Sequence, residues 1–150
     1  MRTSQPPLSA SLPGTWELLS RIDVTDAGVE RAEASLGADP VALLIYDRAG
    51  HFSAQFMKRD RSEGGVSRPS GAGANNSRAV NGYDAYFGTY SIDDAKGTVT
   101  QRLLGSLSAE NVGLVLSREM TVDGDRLIIR LRTSVDGEPV DRTLTWRRIG

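Results

Sequence analysis

The chain has 150 residues and a formal net charge of −1 at pH 7, with basic and acidic side chains interspersed along the sequence. This length fits a single domain with a sizeable core, and the charge balance argues against nucleic-acid and anionic-membrane binding. The sequence has no cysteine and one histidine, which excludes disulfides and provides no ordinary zinc or haem ligand set. We therefore expect no metal and no other cofactor.

The first 13 residues are rich in proline and contain no long apolar run. We predict a flexible N-terminal tail over residues 1–13 and one domain over residues 14–150. The tail lacks the apolar core of a secretory signal, and no run reaches the roughly 20 apolar residues that a membrane helix needs. The resulting expectation is a cytoplasmic monomer or homodimer without membrane contact.

From residue 14 onward, short segments alternate apolar and polar residues or are rich in β-branched and aromatic ones, which is typical of strands. The predicted strands are 14–24, 28–35, 41–47, 50–58, 86–93, 97–107, 112–122, 125–134 and 140–149. Turn residues such as Asp123-Gly124 and Asp136-Gly137 join several of them by tight hairpins. The pattern predicts an all-β, antiparallel up-and-down barrel of eight or nine strands. A β-sandwich is the alternative, but it usually needs longer connections.

One predicted connection, at about 59–82, is long, polar and rich in glycine. A connection of this length in a small domain is usually either a functional lid or a disordered loop. The sequence leaves both alternatives open.

The two tryptophans lie near the ends of the predicted barrel. Trp16 follows Gly14-Thr15 in the first strand, and Trp146 precedes two arginines at the end of the last strand. An indole fits the narrowing base of a closed barrel, and a guanidinium can stack on its face while donating hydrogen bonds to the adjacent chain ends. We expect Trp16 to plug the base.

Alternation also predicts which side chains face the lumen, because successive side chains of a strand point to opposite faces. In the first strand we expect Trp16, Leu18 and Ile22 inside and Glu17, Arg21 and Asp23 outside. Both faces of strands 41–47 and 50–58 are apolar and stay ambiguous. The inward sets predicted for the later strands are Tyr86, Gly88, Tyr90 and Ile92; Val99, Gln101 and Leu103; Leu114, Leu116, Arg118 and Met120; Leu127, Ile129 and Leu131; and Leu144, Trp146 and Arg148.

This interior is apolar with a few polar groups, as in a typical small-molecule site. Arg118 needs a partner there, either a carboxylate or carbonyl of the protein or an acidic group of a ligand. Tyr86 and Tyr90 either pack in the core or orient a ligand carbonyl. The candidate ligand-binding residues are Tyr46, Phe52, Gln55, Tyr86, Tyr90, Gln101, Leu116, Arg118 and Trp146.

Four motifs occur in a specific order: Gly14-Thr15-Trp16, the segment 36–47, Gly50-His51-Phe52-Ser53-Ala54 and Ala85-Tyr86-Phe87-Gly88-Thr89-Tyr90. Over about residues 14–149 the chain resembles the bacterial and fungal lipocalin-like domain family. The resemblance implies a barrel of a type that hosts both binding proteins and enzymes. Gln101 stands where the family typically has a histidine, so this chain cannot use that histidine for proton transfer.

Three hypotheses for function follow. The first is a barrel that binds a small, mostly apolar molecule in its lumen, such as an aromatic or polyketide-like compound. The second is a cofactor-free cyclase or isomerase that encloses its substrate, with Tyr86, Tyr90 and Arg118 polarising it. The third is a structural or partner-binding domain with a filled interior.

Overall fold

Nine antiparallel strands form one sheet in the computed structural model, which describes residues 5–61 and 79–150; the strands follow chain order except that the second lies at the edge beside the first. A four-residue helix, α1 (Leu8–Ser11), precedes the sheet, and a short 3-10 helix (Ala109–Asn111) lies between β6 and β7. The strands are β1 (Gly14–Thr25), β2 (Glu30–Arg31), β3 (Val41–Tyr46), β4 (His51–Met57), β5 (Tyr83–Asp93), β6 (Thr98–Ser106), β7 (Val115–Asp123), β8 (Arg126–Val135) and β9 (Glu138–Arg148).

The sheet closes because β1 pairs on both sides. Its first four residues pair with β3, and nearly its whole length pairs with β9. The two-residue strand β2 pairs with the far end of β1 alone, so only a fraction of the strand predicted at 28–35 forms. The result is an eight-stranded antiparallel barrel with one extra short strand. The predicted barrel is confirmed, and the sandwich alternative is wrong.

The hairpin between β8 and β9 shows how the turn chemistry fixes the register. Asp136 and Gly137 both have positive φ, 51° and 82°, which is the geometry of a type I′ two-residue turn. The flanking residues Val135 and Glu138 are directly paired. The Asp-Gly pair seen in the sequence therefore makes the predicted turn. Most of the long glycine-rich connection, residues 62–78, lies outside the described residues.

The base of the barrel is closed by Trp16, which is completely buried. Its indole Nε1 donates to the carbonyl of Leu12 at 3.0 Å. The Arg148 guanidinium lies 4.3 Å from the centre of the Trp16 ring and donates to the carbonyls of Pro13 and Ser11. The predicted plug is confirmed, and Arg148 is the guanidinium that stacks on it.

The N-terminal segment departs in part from the flexible tail that we expected over residues 1–13. Within it, α1 packs Leu8 against the barrel, and Leu12 is fully buried beneath Trp16. These two leucines are spaced four residues apart, so one helical turn places both on the same face. Residues 8–12 thus cover the base.

The predicted inward faces are confirmed on β5 to β9, where the expected residues alternate with exposed ones. On β1 the prediction is wrong beyond residue 18. A bulge between Leu18 and Ser20 shifts the register against β9 and exchanges the two faces. Arg21 and Asp23 are therefore buried, whereas Ile22 is exposed.

Candidate functional site

A cavity of about 70 Å³ lies inside the barrel. A single water needs roughly 10–15 Å³ by this measure and a benzene-binding cavity measures roughly 150 Å³, so the cavity holds several waters, and an aromatic ligand has to extend through its open side. Part of its wall is apolar, with Leu44, Phe56 and Ile129, and part is charged, with Arg21 and Glu33. The lumen is therefore not packed solid, and its lining is more polar than the alternation predicts.

Five of the nine candidate ligand-binding residues line this cavity. They are Tyr46, Tyr86, Gln101, Arg118 and Trp146. They come from five different strands (β3, β5, β6, β7 and β9), so only the closure of the barrel brings them together.

The other four candidates lie outside the cavity wall. Phe52 and Leu116 are buried beside it, and the Phe52 ring packs against both Tyr46 and Tyr86. Gln55 is on the outer face and accepts a hydrogen bond from the Tyr83 hydroxyl. Tyr90 packs edge-on against Tyr46, and its hydroxyl donates to a backbone carbonyl in the β3–β4 turn.

The Tyr46 hydroxyl is the centre of a buried polar network. Gln101 Nε2 donates to it at 2.6 Å, and it lies 3.9 Å from Met120 Sδ. Burial strongly raises the pKa of Tyr46, so the phenol stays neutral. Gln101 uses its amide to hold this tyrosine in place.

Two buried ion pairs lie on the charged side. Arg142 contacts Asp23 with two hydrogen bonds of 2.8 Å, and these side chains are only 7% and 3% exposed. Arg21 contacts Glu33 at 2.9 Å. Sequence reasoning placed Arg21 and Asp23 outside and did not consider Arg142 or Glu33. For Arg142 a signal was available, because continuing the alternation of Leu144 and Trp146 by one step reaches it.

We call three buried arginines the arginine arc: Arg21, Arg118 and Arg142. The charge of Arg142 affects the pKa of the other two. Burial lowers the pKa of both Arg21 and Arg118, and the positive charge of Arg142 lowers each of them further. Burial raises the pKa of Glu33, but hydrogen bonds from Ser35 and Arg21 outweigh this effect and lower it. The ion pair with Arg21 thus helps to keep the Glu33 carboxylate charged inside the barrel.

Arg118 lies where the alternation predicts. It is 9% exposed, and its Nη1 donates to the carbonyl of Ser117 at 3.1 Å. A contact with a protein carbonyl was one of the two expectations for this residue. Arg118 also lines the cavity, together with Gln101 and Met120.

Asp84 is the functional candidate that sequence reasoning missed. The predicted strand begins at residue 86, but β5 begins at Tyr83, so Asp84 points inward and is 3% exposed. Burial raises the pKa of Asp84 to about 7, although a hydrogen bond from the Ala85 amide opposes this shift. The available signal was again one more step of the alternation, from Tyr86 back to Asp84.

Within residues 5–61 and 79–150, no helix has the length and apolar character needed to span a bilayer.

Comparison with known proteins agrees with this architecture. No curated protein matches the chain in sequence. A family model described as a lipocalin-like domain does match, over residues 13–149, which include every strand of the barrel. The chain therefore belongs to the lipocalin-like domain family.

Proposed function

We propose that this barrel binds a small, mostly apolar molecule in its lumen. The observation that carries the proposal is the cavity itself, which is lined by residues from all eight barrel strands. Its apolar wall supplies affinity, and its few polar groups orient the ligand. A purely structural domain has no need of such a cavity, because filling it with larger side chains would add stability.

The polar groups favour a ligand that carries a hydrogen-bond acceptor or an acidic group. The arginine arc brings three guanidinium groups to the cavity wall. Arg118, with its five fixed donors, is the member of the arc that suits a carboxylate, enolate or phenolate. The neutral Tyr46 hydroxyl, positioned by Gln101, provides a second orienting group.

A cofactor-free cyclase or isomerase is the second candidate function. Tyr86 and Arg118 line the same cavity as Asp84, whose pKa of about 7 suits general acid–base chemistry. Enclosure of a flexible substrate would lower the entropic part of the barrier. Tyr90, the third predicted catalytic residue, donates to a turn carbonyl outside the cavity, so this candidate depends on Tyr86 and Arg118.

Binding is tested by native mass spectrometry of protein purified from its producing cell and by thermal shift with a panel of small aromatic compounds. We expect a retained ligand, and a melting temperature that rises with ligand concentration. Leu131→Trp, which fills the cavity, should abolish the shift. The control is Val115→Trp on the outer face of β7, where Val115 is 61% exposed, and it should bind normally.

Absence of any stabilising compound, or equal binding by these two variants, would contradict binding in the lumen.

The Arg118→Met variant distinguishes the two candidate functions. In a binding protein, Arg118→Met changes affinity only, and the bound compound is released unchanged. In a cyclase or isomerase, the wild type converts the compound, and the folded Arg118→Met variant does not.

A further inference from the structure

Two buried polar atoms in the cavity wall have no hydrogen-bond partner among the residues that the structure describes. They are Asp84 Oδ1 and the indole Nε1 of Trp146, whose side chains are 3% and 1% exposed. Two other buried atoms, the hydroxyls of Ser35 and Thr133, share this property but do not line the cavity. An unpartnered buried polar group costs stability, so two of them on one cavity require an explanation.

Both residues neighbour Phe56. Phe56 is paired directly with Asp84 between β4 and β5, and its ring centre is 5.8 Å from that of Trp146. Asp84 is on β5, four strands around the eight-stranded barrel from β9, which carries Arg142. The backbones of Asp84 and Arg142 therefore lie on opposite walls. Trp146 is also on β9, but its large side chain reaches the Phe56 ring beside Asp84.

The electrostatics of Asp84 agree with this separation. The titratable and charged groups that share the cavity are Tyr46 on β3, Tyr86 on β5, Arg118 on β7, Arg142 on β9, Arg21 on β1 and Glu33 after β2. None of them contributes to the shift of the Asp84 pKa, which comes from burial and from the Ala85 amide. Among the described groups, no cation is close enough to hold Asp84 in its charged form.

We propose that Asp84 and Trp146 form a hydrogen-bond-donor site for the oxo group of a small organic oxo acid, whose carboxylate faces the arginine arc. This inference rests on the proposed binding in the lumen. An indole N–H can only donate, and a protonated carboxylic acid also donates. With a pKa of about 7, Asp84 is protonated in a large fraction of molecules at neutral pH. The donor site and the arginine arc thus both favour acceptor oxygens of the ligand. The apolar wall between them favours an apolar ligand body.

The test uses two matched compounds, 4-acetylbenzoate and 4-isopropylbenzoate, which differ in whether the substituent has a carbonyl oxygen. Binding is measured by isothermal titration calorimetry at about pH 6 and about pH 8.5. At the lower pH the wild type should bind the acetyl compound about three- to tenfold more tightly, the usual effect of one or two neutral hydrogen bonds. At the higher pH this preference should disappear, because an ionised Asp84 repels the ketone oxygen.

Three variants test whether the preference for the acetyl compound comes from Asp84 and Trp146. Asp84→Asn has an amide that donates without titrating, so it should keep the preference at both pH values. Asp84→Leu should show a smaller preference that is the same at both pH values, because only the Trp146 N–H remains to donate. Trp146→Phe keeps an aromatic ring beside Phe56 but has no N–H, so it should weaken binding of the acetyl compound more than binding of the isopropyl compound. Circular dichroism and urea unfolding establish that each variant folds.

Each alternative result overturns a defined part of the proposal. Equal affinities of wild type for the two compounds at about pH 6 would overturn the donor site and leave binding in the lumen intact. A preference that is independent of pH and unchanged in Asp84→Leu would remove the role of Asp84, and an unchanged Trp146→Phe would remove that of Trp146. Binding of neither compound would overturn the oxo-acid assignment, and failure of the whole aromatic panel would overturn lumen binding as well.

Discussion

The two tryptophans of this barrel are equally buried but differently satisfied. Trp16 is 0% exposed, and its indole N–H donates to the Leu12 carbonyl, with the Arg148 guanidinium on its ring face. Trp146 is 1% exposed, and its N–H has no partner within the described part of the chain. The base of the barrel thus completes its own hydrogen bonds, whereas the cavity wall does not.

The base of the barrel therefore contributes stability, whereas the cavity wall contains buried polar groups that reduce it. At the base, the carbonyls of Ser11, Leu12 and Pro13, at and just after the end of α1, accept hydrogen bonds from Trp16 and Arg148. In the cavity, buried charges require ion pairs, and Asp84 is buried without one. Natural proteins keep such costly groups mainly where function requires them. The comparison therefore supports assigning ligand binding to the cavity wall and a structural role to the base.

The largest expected effect is that of Trp16→Ala at the base. It removes a fully buried indole, one hydrogen bond and the stacking partner of Arg148. We expect a loss of about 4 to 5 kcal/mol in the free energy of unfolding, measured with urea. Trp16→Phe should lose less and keeps the experiment informative if the alanine variant does not fold. A loss below about 1 kcal/mol for Trp16→Ala would contradict the structural role of the base.

The next effect comes from the charged wall. Asp23→Ala leaves the buried Arg142 without its bidentate partner, and we expect a loss of about 3 to 4 kcal/mol in urea unfolding. The matched control is Asp141→Ala, since Asp141 pairs with Arg132 on the surface. Its effect should stay below about 1 kcal/mol.

A double variant tests whether this ion pair is costly in itself. Asp23→Leu combined with Arg142→Met replaces both charges with apolar side chains. We expect this variant to be about as stable as the wild type, since a buried ion pair and a packed apolar pair often differ little in net free energy. A double variant as unstable as Asp23→Ala would show that the pair contributes net stability, and the contrast with the base would then be weaker.

Sequence patterns predicted the base better than the cavity wall. The Gly-Thr-Trp opening and the terminal arginines give the plug directly, and strict alternation assigns β6, β7 and β8 correctly. These elements follow local rules of strand period and turn chemistry, which a single sequence displays. The short helix that covers Trp16 was not predicted, because four residues beside prolines carry little local signal.

The charged wall escaped prediction for a physical reason. Arg21 and Asp23 alternate with apolar residues as surface charges do, and only the bulge after Leu18 turns them inward. A bulge depends on pairing with β9, which lies more than a hundred residues away. Asp84 was missed because a polar residue before Tyr86 looks like part of a loop. Where a strand begins is decided by its pairing with β4 rather than by its own residues.

The last prediction concerns the pH dependence of stability that the buried Asp84 causes. Because the pKa of Asp84 is raised in the folded protein to about 7, its contribution to stability is complete below the unfolded pKa. That contribution is lost as pH rises through the folded pKa. The groups with lowered pKa values, such as Glu33, lose their contribution only at more acidic pH. The wild type should therefore lose stability between mildly acidic and mildly basic pH.

Asp84→Asn removes this titration while keeping the size and polarity of the side chain. The variant should be more stable than the wild type in urea unfolding, and its advantage should grow by about 2 kcal/mol from about pH 5.5 to about pH 8.5. Asp94→Asn is the surface control, since the Asp94 carboxylate is exposed at α1 and the lowered pKa of Asp94 falls below this window. A constant difference between wild type and Asp84→Asn would mean that Asp84 reaches solvent or a cation. The cavity wall would then be as well satisfied as the base.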